Sequence, residues 1–125
     1  MSVLDDVGTA AMADGYVLVC EQARLVPDRG VAALIDGVAV AVFKLSDGSL
    51  YAIDNVDPIS GASVLSRGIV GEVDGAATVA SPMYKQRFDL RSGRCLDRDD
   101  VTVGTHAVRI IDDCVAVKLS RASAP

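Results

Sequence analysis

Short apolar runs separated by turn residues make up most of this chain. Asp-Gly pairs at residues 36–37, 47–48 and 74–75 each stand between two apolar runs. Such a pair indicates a β-hairpin, because the tight turn needs positive φ angles that these two residues tolerate. Valine, whose branched Cβ favours strands, is abundant within the runs. The pattern predicts strands near residues 16–20, 31–35, 38–45, 50–54, 69–73, 77–81, 87–89, 106–111 and 114–119.

Helical periodicity is weak along the whole chain, and its best window, residues 8–13, is short and lacks a capping residue. Short strands with frequent turns are typical of an all-β sandwich or a small barrel. The run 38–43 is apolar at every position, so we expect this strand to be buried on both faces, centrally between two sheets. We expect one domain at residues 16–119, with a flexible N-terminal arm at 1–15 and a flexible tail at 120–125.

Composition and charge narrow the possible function classes. The chain has 125 residues, of which 50% are hydrophobic and 23% are charged, so wholesale disorder is excluded. Its net charge of −5 disfavours a nucleic-acid binder, which would carry a basic face. No segment reaches the roughly 18–20 apolar residues that cross a bilayer, and the first residues are acidic where a signal peptide is basic. We therefore expect a cytoplasmic protein with neither nucleic acid nor membrane as a partner.

The three cysteines and the single histidine form no local metal or nucleophile motif. Cys20, Cys95 and Cys114 lack CxxC and CxH spacing, and their odd number fits a reducing compartment. We expect Cys20 and Cys114 to be small buried residues at strand ends. Two alternatives use His106: a zinc site with all three cysteines, or a Cys–His nucleophile pair with Cys95 or Cys114. A polar position on a strand is the simpler explanation for His106.

Two segments interrupt the strand pattern and are long enough to carry function, residues 54–68 and 80–93. Together they resemble the two cluster-binding loops of Rieske-type [2Fe–2S] ferredoxins. The resemblance covers roughly residues 16–119 and implies an antiparallel β-sandwich or small barrel with two long loops at one end. The matching residues are Tyr51-Ala52, Asn55, Pro58, Gly61-Ala62, Leu65, Gly68, Pro82, Phe88-Asp89-Leu90 and Gly93.

The four positions that supply the cluster ligands in those ferredoxins differ here. They hold Asp57, Ile59, Ser81 and Tyr84. A Rieske centre needs two thiolates on one iron and two imidazoles on the other, so this set lacks the required donors. We expect no cluster, no other metal and no catalytic residue in this chain. Asp57, beside Pro58, is expected to shape a turn by accepting backbone hydrogen bonds.

A second resemblance is more specific. The runs 57–71 and 80–90, followed by residues 93–96, are similar to the small subunit of the cytoplasmic, NAD(P)H-dependent assimilatory nitrite reductase of bacteria. That resemblance implies a cluster-free subunit without catalytic residues of its own. Its large subunit would carry FAD, a [4Fe–4S] cluster and sirohaem, and would reduce nitrite to ammonium with six electrons. The alternatives are a Rieske-type electron carrier with atypical ligands and a stand-alone protein-binding module.

Without a redox centre, protein docking is the function that the second loop suggests. Residues 81–94 contain four basic side chains and one acidic one, although the chain as a whole is acidic. Such a basic tip can steer and orient an acidic partner. Met83 and Tyr84 are typical interface anchors. We therefore predict docking through Met83, Tyr84, Lys85, Arg87 and Arg67, the alternatives being that the charges only solubilise the loop and that Arg67 pairs within the domain.

Overall fold

The computed structural model describes residues 15–120, and this range is all β apart from two short 3₁₀ helices, Gln22–Arg24 and Leu65–Arg67. Each strand that the sequence pattern predicts is present, with ends shifted by two residues at most. The predicted arm at 1–15 and tail at 120–125 lie outside the described residues, except for Gly15 and Ser120. The strands are β1 (Val17–Glu21), β2 (Arg29–Ile35), β3 (Val38–Lys44), β4 (Leu50–Asp54), β5 (Ile69–Val73), β6 (Ala76–Ala80), β7 (Arg87–Asp89), β8 (Thr105–Ile111) and β9 (Cys114–Lys118).

The strands form two antiparallel sheets. One has six strands in the order β1-β9-β8-β4-β3-β2, and the other has three in the order β5-β6-β7. Two-residue turns at 36–37, 74–75 and 112–113 close three of the hairpins, and all six of these residues have positive φ. The Asp-Gly signal therefore marks real hairpins at 36–37 and 74–75, where the turn twist matches the twist of the paired strands.

Strand β3 is buried on both faces, as its apolar run predicts. Ala41 and Phe43 face a core cluster that also contains Val79 and Phe88 of the three-stranded sheet. Val40 and Val42 face a second cluster made of residues from the six-stranded sheet itself and the turn after β1. The expectation that this strand lies between two sheets is therefore right for the face with Ala41 and Phe43 and wrong for the face with Val40 and Val42. The six-stranded sheet curls around the second cluster, so one sheet supplies both walls.

The ends of β4 and β6 place the two long loops side by side. We call residues 55–64 loop one and residues 81–86 loop two. Gly68, just after loop one, packs against the residue before loop two, because a Cβ there would lie 2.4 Å from the Ala80 carbonyl oxygen. Only glycine permits this approach. Asn55 fixes loop one further, since its side chain accepts a bond from Ser66 N at 2.7 Å and donates to Ser63 Oγ at 2.9 Å.

Within residues 15–120, no helix has the length and apolar character that a membrane crossing requires.

Candidate functional site

The carboxylate of Asp57 joins loop one to loop two. Asp57 is completely buried, and Ser81 and Gln86 of loop two are only 1% and 6% exposed. Ser81 Oγ donates to Asp57 Oδ2 at 2.5 Å, and Gln86 Nε2 donates to Oδ1 and Oδ2 at 2.9 and 3.0 Å. These bonds span 24 and 29 residues of sequence, so a single side chain in loop one holds the conformation of both loops.

The same carboxylate also shapes loop one. Asp57 Oδ1 accepts backbone hydrogen bonds from Ile59 N at 2.8 Å and from Ser60 N at 3.3 Å. This is the turn-forming role expected of an aspartate beside a proline. Burial is the largest single influence on the carboxyl and by itself raises the pKa of Asp57. The hydrogen bonds from Ser81, from the two backbone amides and from Gln86 together outweigh burial and lower the pKa.

Gln86 is a member of the Asp57 network that the sequence did not reveal. Its Nε2 must face Asp57, because the amide oxygen would repel a carboxylate at the same distance. The orientation leaves Gln86 Oε1 buried and without a hydrogen bond from the described chain. Glutamine is common on protein surfaces, and no spacing in the sequence links residue 86 to residue 57. Only the folded geometry shows that the network has one acceptor without a donor.

The residues at the four positions that the resemblance matches to cluster ligands come together, but they do not fit a [2Fe–2S] cluster. Both oxygens of Asp57 are engaged in hydrogen bonds, and the Ser81 hydroxyl donates its proton to one of them. The Ile59 side chain has no atom that could bind iron, and Tyr84 is 64% exposed. A Rieske centre needs two thiolates and two imidazoles. No group of three or more His, Cys, Asp or Glu side chains in residues 15–120 is arranged to hold a metal ion.

The cysteines and the histidine form no shared site in the described range. Cys20 and Cys95 belong to different core clusters, so the zinc alternative is wrong. His106 Nε2 bonds Asp54 Oδ1 at 2.8 Å, and His106 Nδ1 accepts a bond from Ser120 N at 3.1 Å. Neither ring nitrogen is left for a cysteine thiol, so the Cys–His alternative also fails. Burial raises the pKa of Cys20, which suits a packing role.

Loop two presents an exposed tip with an open groove beside it. Met83 is 48% exposed and Tyr84 is 64% exposed. Lys85 is also exposed, and Phe88 below the tip is completely buried in the core. The groove has a volume of about 620 Å³. It is lined by Ile59 of loop one, by Tyr84, Lys85, Gln86 and Arg87, and by Asp97 and Arg98 of the following segment.

The tip is less basic than the sequence window 81–94 indicates. Arg87 Nη2 lies 2.9 Å from Asp97 Oδ1, and Asp97 Oδ2 accepts a 2.7 Å bond from Arg87 N. The side-chain hydrogen bond from Arg87 lowers the pKa of Asp97, and the same bond raises the pKa of Arg87. Asp97, which neutralises Arg87, lies just beyond the end of the window at residue 94. Arg67 lines a separate cleft with Arg29 and Ile69, not the groove.

Comparisons with known proteins agree with this fold. A sequence model of the Rieske-like [2Fe-2S] domain family matches residues 15–118. The NADH nitrite reductase small subunit of Salmonella typhimurium is 39% identical over 101 residues, which is 80% of this chain and 94% of that protein. The solution structure of the NAD(P)H nitrite reductase small subunit from Erwinia carotovora superimposes with a TM-score of 0.74 at 35% identity, covering 91% of this chain and 88% of that one.

A match of another kind is to a large subunit. The NAD(P)H nitrite reductase large subunit of Klebsiella oxytoca contains a segment 37% identical to this chain over 92 residues. The segment covers 74% of this chain and 10% of that protein. The family match, the small-subunit relatives and the fold agree with one another. The chain therefore belongs to the Rieske-like [2Fe-2S] domain family and, within it, to the small subunits of NAD(P)H nitrite reductase.

Proposed function

We propose that the chain serves the cytoplasmic reduction of nitrite to ammonium as a non-catalytic subunit that docks on the large subunit. Docking uses the tip of loop two, namely Met83, Tyr84 and Lys85, together with the groove beside it. The observation that carries this proposal is the Asp57 network. It holds two long loops in a fixed arrangement at positions where the iron ligands are missing. A tip with exposed Met83 and Tyr84, in a described range (15–120) without a donor set for a cluster, suits binding rather than electron transfer.

The reduction itself is assigned to the large subunit. By its resemblance to the nitrite reductase family, we expect the large subunit to carry FAD, a [4Fe–4S] cluster and sirohaem and to draw the six electrons from NAD(P)H. The alternative of an electron carrier with atypical ligands requires donors that Ile59 and the hydrogen-bonded Asp57 and Ser81 do not provide. This chain therefore contributes binding energy and orientation to the complex.

The Klebsiella oxytoca protein supports the choice of partner. A segment similar to this chain lies within a polypeptide that is itself a nitrite reductase large subunit. Two modules that occur in one polypeptide in one organism are good candidates for association as separate chains in another. Covalent linkage raises the effective concentration of one module near the other and so favours the same contact that two separate chains would make by docking.

Purification of the complex tests the proposal. The tagged chain is co-expressed with its large subunit, and nitrite-dependent NAD(P)H oxidation is measured with and without this chain. We expect co-purification, and a loss of turnover or thermal stability when the chain is omitted. Equal turnover and equal stability of the large subunit alone would refute the subunit role. Stoichiometric iron and sulfide in the isolated chain would refute the absence of a cluster.

A pair of matched variants tests the docking surface. Tyr84→Ala should weaken binding to the large subunit by about tenfold or more, because exposed aromatic anchors carry much of an interface's energy. Leu34→Ala is the control, since Leu34 is 71% exposed on β2 and lies away from the groove. Equal weakening by both variants would show that exposed apolar area in general, and not the tip, determines binding.

A further inference from the structure

Lys85 occupies a backbone conformation that lysine rarely adopts. Its φ is +65°, in the left-handed region. The other residues with a side chain that share this conformation in residues 15–120 are all aspartates, namely Asp28, Asp36, Asp74, Asp112 and Asp113. Aspartate tolerates the left-handed region through local hydrogen bonds of its short side chain, and lysine has no such compensation. The turn itself needs only the backbone here, since Lys85 N donates to Ser81 O at 2.9 Å.

The charge of Lys85 is also unpaired within the described chain. Three cationic side chains line the groove, and two of them already have partners. Arg87 pairs with Asp97 at 2.9 Å, and Arg98 Nε lies 3.5 Å from Asp100 Oδ1. No ion pair joins Lys85 to a carboxylate anywhere in residues 15–120. The strained position thus carries the one groove cation in that range whose charge is not already neutralised by a neighbour.

The walls of the groove favour a protein segment as its occupant. Ile59 and Tyr84 supply apolar and aromatic surface to the same lining as Lys85. A peptide offers an apolar side chain and a carboxylate together. A second copy of this chain is disfavoured, because two proteins of net charge −5 repel one another.

We propose that this groove receives an acidic segment of the large subunit, with a carboxylate of that segment paired to Lys85. The proposal rests on the docking function proposed above and identifies the chemistry of its partner. A neighbouring apolar side chain of the same segment packs between Ile59 and Tyr84. Lysine is retained at a left-handed position because its ammonium group forms this pair. Lys85 therefore stabilises the complex and strains the backbone of the free subunit.

Replacement of Lys85 by glycine separates these two effects. Lys85→Gly removes the charge and relieves the backbone, so the isolated variant should melt at the same temperature as the wild type or higher. Its dissociation constant for the large subunit should rise about tenfold or more at low salt. A site that merely needed a stable turn would give the opposite result, since the variant would bind as well as the wild type.

Two further variants complete the measurement. Lys85→Arg keeps the charge and should bind within about threefold of the wild type. Arg24→Gln removes one positive charge from an exposed position outside the groove and should leave the dissociation constant unchanged. Binding of Lys85→Gly within about twofold of the wild type would overturn the inference while leaving the docking function intact. Failure of the wild-type chain to bind the large subunit would overturn both.

A charge exchange identifies the occupant. Lys85→Glu should abolish binding, and changing an acidic residue of the large subunit to lysine should restore it. Restoration of binding by a single such change would show that an acidic segment of the large subunit pairs with residue 85. Sedimentation of the wild-type chain alone tests whether a second copy of this chain occupies the groove instead. Self-association that Lys85→Glu abolishes would assign the groove to a second copy of this chain and overturn the inference.

Discussion

Ser81 Oγ lies 2.5 Å from Asp57 Oδ2, and this bond joins the two loops at positions that the resemblance matches to iron ligands of Rieske-type ferredoxins. In a Rieske protein the cluster itself would bridge the loops. Here a buried carboxylate makes that connection through hydrogen bonds from Ser81 and Gln86. The loops keep their arrangement because a hydrogen-bonded anion replaces the inorganic bridge. The bridge is therefore a structural element of this subunit, and its removal should affect stability first.

Asp57→Asn should destabilise the isolated chain by about 2–4 kcal/mol, because it replaces a charged acceptor by an amide whose NH₂ group faces donors. The free energy of unfolding in urea measures the loss. Asp36→Asn is the control: Asp36 is exposed in a tight turn with φ +48°, where asparagine is well tolerated. The control should stay within about 0.5 kcal/mol of the wild type. Equal losses in both variants would show that the Asp57 network adds little to stability.

Acid should remove the contribution of Asp57. Its pKa is lower in the folded chain than in the unfolded one, so the contribution is complete above about pH 4, the unfolded value for aspartate. The contribution is then lost as the pH falls through the folded pKa. The difference in unfolding free energy between the wild type and Asp57→Asn should therefore be constant from pH 7 to about pH 5 and shrink below about pH 4. A difference independent of pH down to acid unfolding would contradict a lowered pKa.

Two nearby glycines should respond differently to alanine. A Cβ at Gly68 would lie 2.4 Å from the Ala80 carbonyl oxygen, whereas a Cβ at Gly71 meets only Thr78 Oγ1 at 3.5 Å. Gly68→Ala must push loop one away from β6 and should destabilise the chain by about 2 kcal/mol or more. Gly71→Ala should change stability by less than about 1 kcal/mol. Thermal melting of both variants gives the comparison, and similar shifts would show that the backbone adjusts easily at Gly68.

Anaerobic incubation with iron and sulfide should not yield a cluster. The Ile59 side chain has no atom that could bind iron, and the Ser81 hydroxyl already donates a hydrogen bond to the Asp57 carboxylate. We expect no stoichiometric iron after desalting and no visible absorption of a Rieske centre. A related ferredoxin taken through the same procedure is the positive control. Two irons and two sulfides per chain would contradict the structural account of the four ligand positions.

Much of the fold is readable from the sequence because strands and hairpins are local. The strand pattern and the Asp-Gly turns place each strand correctly, and the apolar run of β3 reveals burial on both faces. The site is harder, because its bonds join residues far apart in the chain. Asp57 is identifiable through the family pattern, but Gln86 is not. The ion pair between Arg87 and Asp97 was not predicted, because the sequence window in which charges were counted, residues 81–94, ends before Asp97.

The Asp57 carboxylate, which joins the loops, also gives this end of the molecule a constant charge. A cluster gains or loses an electron in every cycle, so the charge at its loops alternates and its affinity for a partner can alternate with it. Asp57, with its lowered pKa, carries the same single negative charge at neutral pH whatever the oxidation state of the enzyme. In the docked state proposed above, the charge that Asp57 contributes at this end of the subunit therefore stays the same however many electrons the large subunit holds. Such a constant charge suits a permanent component, whereas a mobile carrier must bind and leave at each turnover.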